Sequence, residues 1–152
     1  MDLTGQNIKK ATIIIAILGI LDAIYLTIIK FTDNKALCIE GIGDCWTVNN
    51  SSYSEWNGIP ISLFGIVAYL SIILILTLQN RVKFLVDFGS IFVFGIALIG
   101  FFFSIYLTYL QFAVIKAVCP FCIISATTMT IVFILSLINL LKDQRESNSD
   151  QN

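Results

Sequence analysis

Four cysteines carry the reactive chemistry of this chain, in two differently spaced pairs. Cys38 and Cys45 have six residues between them, and Cys119-Pro120-Phe121-Cys122 forms a C-x-x-C. A thiolate can attack a disulfide, form a new S–S bond and expel the other sulfur, so paired cysteines can take up and pass on two electrons. A C-x-x-C at the start of a helix suits this chemistry. The unpaired N–H groups and positive dipole end of the helix stabilise a thiolate, which predicts a lowered pKa for the cysteine best exposed to them. Pro120 presets the first helical turn and removes an N–H that would lack a partner there.

Two other uses of four cysteines must be weighed. Static disulfides are common in oxidising compartments, and Cys38–Cys45 could serve as one; a Cys119–Cys122 bond would close only a tiny loop in a helix. A four-cysteine zinc site is disfavoured because the six-residue gap departs from the usual spacing of two to four. Histidine is absent, which excludes histidine-ligated haem, histidine metal sites and a Ser-His triad. Redox work must run through sulfur or a bound organic molecule.

The elements that position these cysteines are read from the apolar runs. Of 152 residues, 57% are hydrophobic and 12% charged, against about 25% charged in soluble domains. A membrane-crossing helix needs roughly 20 apolar residues, and four segments qualify: 11–29, 59–78, 86–112 and 119–141. The first is too long for a signal-peptide core and lacks a small-residue cleavage site, so it reads as an anchor. The expected fold is an all-α, four-transmembrane-helix bundle forming one domain over residues 1–141. A polar, disordered cytoplasmic tail follows at 142–152. A formal net charge of −1 argues against a nucleic-acid partner.

Lys9, Lys10, Arg81, Lys83, Lys142 and Arg145 flank one side of the spans. Lys30, Lys35 and Lys116 lie on the other, with Asp33, Glu40, Asp44 and Glu55. Basic residues favour the cytoplasm, so the chain is expected to be integral to the cell membrane with both termini and a tight turn near Asn80 on the cytoplasmic side. The loops 30–58 and 113–118, with all four cysteines at that level, are expected outside. There a C-x-x-C can meet a water-soluble thiol above and a lipid-soluble oxidant below.

The long loop carries Trp46, Tyr53 and Trp56 among polar residues, which predicts a short helix on the membrane surface. Asn57-Gly58 then turns the chain, and Pro60 is expected in the first turn of the second span. A shift of 81 residues aligns Gly19 with Gly100 and Ile24-Tyr25-Leu26-Thr27 with Ile105-Tyr106-Leu107-Thr108. It also aligns Phe31 with Phe112, Lys35-Ala36 with Lys116-Ala117, and Cys38 with Cys119. Each half reads as helix, outer loop with cysteine, then a helix opening near Pro60 or Pro120, so a duplicated helical hairpin is expected.

Asp22 lies inside the first span, where a charge is costly. It is expected to be protonated, to bond a neighbouring helix or to reach the outer surface, with proton supply to a bound lipid-soluble oxidant as the alternative. Phe101, Phe102 and Phe103 surround their helix, so at most one or two can touch one ligand. Phe121, between the redox cysteines, is better placed. Tyr25, Tyr106 and Tyr109 fit an interfacial belt.

The order of these features resembles the vitamin K epoxide reductase family. The matching residues are Cys38, Cys45, Ser51, Gly58-Ile59-Pro60, Ser62, Phe64-Gly65 and Cys119 to Cys122, over nearly the whole chain. The other four-span quinone-linked thiol oxidase family, typified by DsbB, places its C-x-x-C before the spaced pair, the reverse of the order here. The resemblance implies a quinone-dependent thiol oxidoreductase, with an outer loop or short helix capping a quinone pocket. A separate thioredoxin-like (DsbA-like) protein would reduce Cys38–Cys45 through Cys38. Cys45 would attack Cys119 and release Cys122, which would pass electrons to a quinone of menaquinone or ubiquinone type, without metal or haem. Cys122, Phe121, Ser51, Ile61, Phe64 and Ala126 would surround that quinone. Ala126 and Ile61 stand where vitamin K-reducing animal members carry tyrosine and asparagine, so the resemblance implies simple quinone reduction rather than epoxide reduction. The alternative is a structural four-span protein with static disulfides.

Overall fold

The structure, a computed structural model, describes residues 3–32, 44–79 and 81–149. Cys38 and Asn80 lie outside these residues. Among the described residues five α-helices are formed: α1 (Leu3–Thr32), α2 (Cys45–Asn49), α3 (Ile61–Leu78), α4 (Lys83–Leu110) and α5 (Pro120–Ser149). The strands β1 (Glu55–Trp56) and β2 (Ile59–Pro60) make a small antiparallel hairpin, and a π-helical turn, Gln111–Ile115, extends α4. The segments Gly5–Thr32, Ile61–Leu78, Phe88–Ile115 and Pro120–Arg145 are long and apolar enough to cross a membrane. In a hydrocarbon slab only a helix satisfies every backbone polar group within one segment, which is why each apolar run is helical. The hydroxyls inside these runs are absorbed in the same way: Thr12, Thr27, Ser71, Thr108, Thr128 and Thr130 donate to the carbonyl four residues back.

The four long helices form the expected transmembrane bundle. α1 pairs with α3 and α4 with α5, and α1 also packs along α5. The expected duplication is visible in the packing of these two hairpins. A Cβ on Gly19 would meet the Tyr69 ring at 2.4 Å, and one on its repeat partner Gly100 would meet Met129 Cε at 2.8 Å. Tyr69 and Met129 each lie nine residues after the proline at the start of their helix, Pro60 before α3 and Pro120 opening α5. In both hairpins a glycine thus admits the same position of the returning helix. The deep core holds Ala16, Tyr69, Ile72, Val93, Ala97 and Val132. Phe101 stacks on Phe133 at 4.8 Å, while Phe102 and Phe103 face outward, so this aromatic triplet divides between packing and surface.

Several expected boundaries move. Pro60 is not in the first turn of α3; it pairs with Glu55 in the hairpin and precedes the helix with φ −58° and ψ 134°. Asn57 (φ 55°) and Gly58 (φ 83°) both take positive φ, as a two-residue type I′ hairpin requires; that hairpin occupies the sequence that would otherwise begin the span. The expected surface helix around Trp46, Tyr53 and Trp56 is also corrected. Only Cys45–Asn49 is helical, and it buries Cys45 and Val48 against the bundle, whereas Tyr53 and Trp56 are exposed on the turn and hairpin. The tail expected to be disordered continues α5 to Ser149, since nothing between residues 142 and 149 breaks a helix.

Polar side chains close the opposite end of the bundle. Ser90 accepts from Gln79 Nε2 at 3.3 Å and Asn139 Nδ2 at 3.2 Å, and it donates to Asp143. This ties α4 and α5 to the chain leaving α3.

Candidate active site

Three of the four cysteines are described, and they meet. Cys45 opens α2, Cys119 immediately precedes α5, and their Sγ atoms are 3.3 Å apart. Both are buried, within an outer core that includes Leu26, Ile29 and Val48; Cys122 borders it and is half-buried.

The α2 segment is tied down at each end. The Asp44 N–H donates to Val118 O at 3.0 Å, fixing the chain beside Cys119. Asp44 caps α2, with Oδ1 accepting from the Thr47 N–H at 3.0 Å and Oδ2 from the Thr47 hydroxyl at 2.7 Å. At the other end Asn49 Nδ2 donates to Leu26 O at 2.9 Å. Lys30 Nζ donates to Ser54 Oγ at 3.0 Å and pairs with Glu55 at 3.4 Å. The Ser62 hydroxyl donates to Thr27 Oγ1 at 2.8 Å, joining α1 to α3 at the same level.

Cys119 acts as the N-cap of α5. The Cys122 N–H donates to Cys119 Sγ at 3.3 Å, and the Ile123 N–H to Cys119 O at 3.2 Å. Sulfur takes the place of the oxygen that Ser, Thr or Asp usually supplies here. The Cys119 N–H is itself taken by Gln111 Oε1 at 3.1 Å. Gln111 is 3% exposed and starts the π-helical turn, which ends at Lys116 in a left-handed conformation (φ 54°) with the Lys116 and Ala117 N–H groups both on Gln111 O. One residue therefore ends the third span and aligns the first residue of the C-x-x-C.

The expected lowering of a thiol pKa at this helix end is not found at Cys119. The hydrogen bond joining its sulfur to that of Cys122 pushes the Cys119 thiol up to about 12, and burial adds to the rise. The Cys45 sulfur and the Cys122 N–H act in the opposite sense and are outweighed. Helix-end stabilisation presumes a sulfur open to polar surroundings; this one is enclosed and shares a proton.

The residues expected around a quinone lie in four places. Phe121 and Cys122 border the outer core, the Phe121 ring lying 4.6 Å from that of Tyr25. Ser51 and Ile61 are built into the cap, through Ser51 Oγ on Val48 O at 2.7 Å and the Ile61 N–H on Ser54 O at 2.9 Å. Phe64 is exposed on α3, its ring 6.0 Å from that of Trp56. Ala126 lines a lateral groove of about 510 Å³ between α4 and α5, with Ser104, Thr108, Tyr109, Thr127 and Thr130. Tyr106 and Tyr109 are exposed, as an interfacial belt requires, but Tyr25 turns inward onto Phe121.

Gln111 and Asn49 were not singled out by their residue types. A signal for Gln111 existed: the 81-residue shift that pairs Phe31 with Phe112 also pairs Lys30 with Gln111. Both are polar residues that end a span and tie down the loop that follows.

The sequence profile of the vitamin K epoxide reductase family matches residues 10–137. Over 49 residues the chain is 43% identical to the thiol-disulfide oxidoreductase LTO1 of Arabidopsis thaliana. That likeness covers 32% of this chain and 13% of the plant protein.

Proposed function

The chain belongs to the vitamin K epoxide reductase family, and from that premise we propose that it is an integral membrane thiol oxidoreductase that oxidises a separate thioredoxin-like (DsbA-like) protein at the expense of a membrane quinone. The observation that carries this reading is the position of Cys119, within 3.3 Å of the Cys45 sulfur and hydrogen-bonded to Cys122. Cys119 can exchange partners between the two pairs without rearrangement of the bundle. The name of the plant relative, a thiol-disulfide oxidoreductase, supports the same chemistry.

The relay runs as three balanced exchanges. A partner dithiol reduces a Cys38–Cys45 disulfide, leaving two thiols there and a disulfide on the partner. The Cys45 thiolate attacks Cys119 in the Cys119–Cys122 disulfide, forming Cys45–Cys119 and releasing Cys122. The Cys38 thiolate then attacks Cys45, restoring Cys38–Cys45 and leaving Cys119 and Cys122 reduced. A quinone, when bound, accepts the two electrons and two protons that return this second pair to its disulfide.

The groove between α4 and α5 fits such a group. It opens sideways between two lipid-facing helices, as an isoprenoid tail requires, and it begins at Ile123, the residue after Cys122. Thr108, Thr127 and Thr130 spend their protons on backbone carbonyls, which leaves Ser104 and Tyr109 to donate to quinone oxygens. Phe121 and Cys122 would close its outer end. The basic residues at the inner helix ends support termini in the cytoplasm and cysteines on the outer side.

The test is thiol trapping in cells with Cys45→Ala. The lone Cys38 thiolate should attack the disulfide of an oxidised thioredoxin-like protein, and with no Cys45 to displace it, the mixed disulfide should accumulate. A protein with static disulfides gives no adduct and leaves Cys119–Cys122 unchanged.

A further inference from the structure

Asp22 is a carboxyl group in the middle of α1, where the repeat counterpart in α4 is Phe103. α1 packs against α3 and α5, and each contributes a polar group at this level. The Ser125 side chain of α5 approaches the Asp22 carboxyl. The Tyr69 hydroxyl of α3 donates to Ser125 O at 3.4 Å. Asp22 Oδ2 is buried with no hydrogen-bond partner. One turn further out, Tyr25 of α1 packs on Phe121 of α5. The carboxyl therefore lies about one helical turn below the C-x-x-C.

Helix geometry relates this cluster to the reacting sulfur. Residues three and four apart are neighbours on a helix surface, so Cys122 adjoins both Ser125 and Ala126. Ser125 leads to Asp22, and Ala126 lines the α4–α5 groove. Cys122 thus stands between the Asp22 carboxyl on one side and the lateral groove on the other. The relay calls for a proton at this sulfur. Attack by Cys45 expels Cys122 as a thiolate at the edge of an apolar span, where a charge is expensive.

We propose that Asp22 is the proton donor to Cys122 as that sulfur leaves the Cys119–Cys122 disulfide, with the Ser125 hydroxyl carrying the proton between them. The inference rests on the relay described above. The Cys45 thiolate forms the Cys45–Cys119 bond while the Cys119–Cys122 bond breaks. Ser125 gives its hydroxyl proton to the Cys122 sulfur and takes one from Asp22. The products are the Cys45–Cys119 disulfide, a Cys122 thiol and an Asp22 carboxylate, so atoms and charge balance. Asp22 recovers from water the proton that Cys45 lost on becoming a thiolate. The titratable groups within a helical turn of this path are Tyr69 on α3, Tyr25 on α1, and Cys122 itself.

The experiment uses full-length protein stripped of quinone, mixed with a dithiol that reduces the outer pair. Acid quenching and alkylation then time the appearance of the Cys122 thiol. Asp22→Asn, which keeps the size and a hydrogen-bonding side chain, should slow that appearance at least tenfold, a modest share of the roughly 10²–10⁴ that general acid catalysis supplies. It should also abolish the fall in rate that the unaltered protein shows as pH rises and the acid is lost. Asp22→Glu should recover much of the rate. Time-resolved infrared difference spectra after reduction should show a transient loss of a protonated-carboxyl band, absent throughout in Asp22→Asn. Equal rates and pH profiles for Asp22→Asn and the unaltered protein would overturn the inference, as would no carboxyl change in the unaltered protein. If Asp22→Asn does not fold, the infrared measurement on the unaltered protein decides. Should the unaltered protein never release Cys122 on reduction of the outer pair, the relay itself is wrong.

Discussion

The sulfurs of Cys45 and Cys119 lie 3.3 Å apart although 74 positions separate them in the chain. A short capping helix and the loop before α5 are folded onto one another to bring this about, and few side chains hold them. The consequences of loosening each can be stated.

Gln111 holds the first residue of the C-x-x-C through its N–H. Gln111→Leu leaves that buried N–H without an acceptor, at a cost of about 1–3 kcal/mol. We expect a lower unfolding temperature in detergent and slower exchange between Cys45 and Cys119. Gln111→Glu, which keeps the acceptor, should retain more of both.

Asn49 anchors the end of α2 to Leu26 O. Asn49→Ala removes that bond while leaving Cys119 and Cys122 in place. Oxidation of Cys119 with Cys122 should proceed at its usual rate, and the transfer between Cys45 and Cys119 should slow. Quenched alkylation with peptide mapping separates the two steps. Equal slowing of both would show that Asn49 acts on the whole bundle.

Much of this arrangement was legible in the residues. Four apolar runs, a C-x-x-C opening the fourth and an 81-residue repeat pointed to the bundle, its paired hairpins and the shared level of the three described cysteines. Hydrophobic length and scarce residues at fixed spacing survive any detail of packing. The cap was less legible: Asn57-Gly58 takes its type I′ turn and draws Ile59 and Pro60 into a strand pair, shortening the second span. The partners of Gln111 and Asn49 could not be read, because a lone amide near a span end fits many acceptors and only the tertiary fold selects one. The Cys119 pKa was missed for a related reason. Helix-end electrostatics were visible in the sequence, but the enclosure of the sulfur and its bond to Cys122 were not.

The two repeat glycines make a matched comparison. A methyl at Gly19 would sit 2.4 Å from the Tyr69 ring, and one at Gly100 2.8 Å from the flexible end of Met129. Overpacking costs about 1–3 kcal/mol where neighbours cannot yield. Thermal unfolding should show a larger loss for Gly19→Ala than for Gly100→Ala; the reverse order would mean that the α1–α3 contact is looser than its geometry.

The raised Cys119 thiol sets a pH dependence for the fully reduced protein. Its ordinary value is 9.0 and its folded value about 12, so folding favours the protonated form. That contribution is complete below pH 9 and is lost as pH rises from 9 toward 12. Unfolding temperatures of reduced protein should fall over this window, and Cys119→Ser should flatten the fall. Thiolate absorbance in the ultraviolet should place one thiol of the folded protein in the same range.

The central claim is that Cys45 and Cys119 bond to one another in turnover. Cys38→Ser removes the thiol that resolves this bond, so the Cys45–Cys119 disulfide should accumulate when the variant is oxidised at Cys119–Cys122 and supplied with a Cys45 thiol. Digestion without reductant, followed by mass spectrometry, should recover the peptides containing Cys45 and Cys119 as one disulfide-linked species, with Cys122 alkylated. Recovery of Cys119 bonded only to Cys122, with Cys45 alkylated at every time point, would contradict the relay.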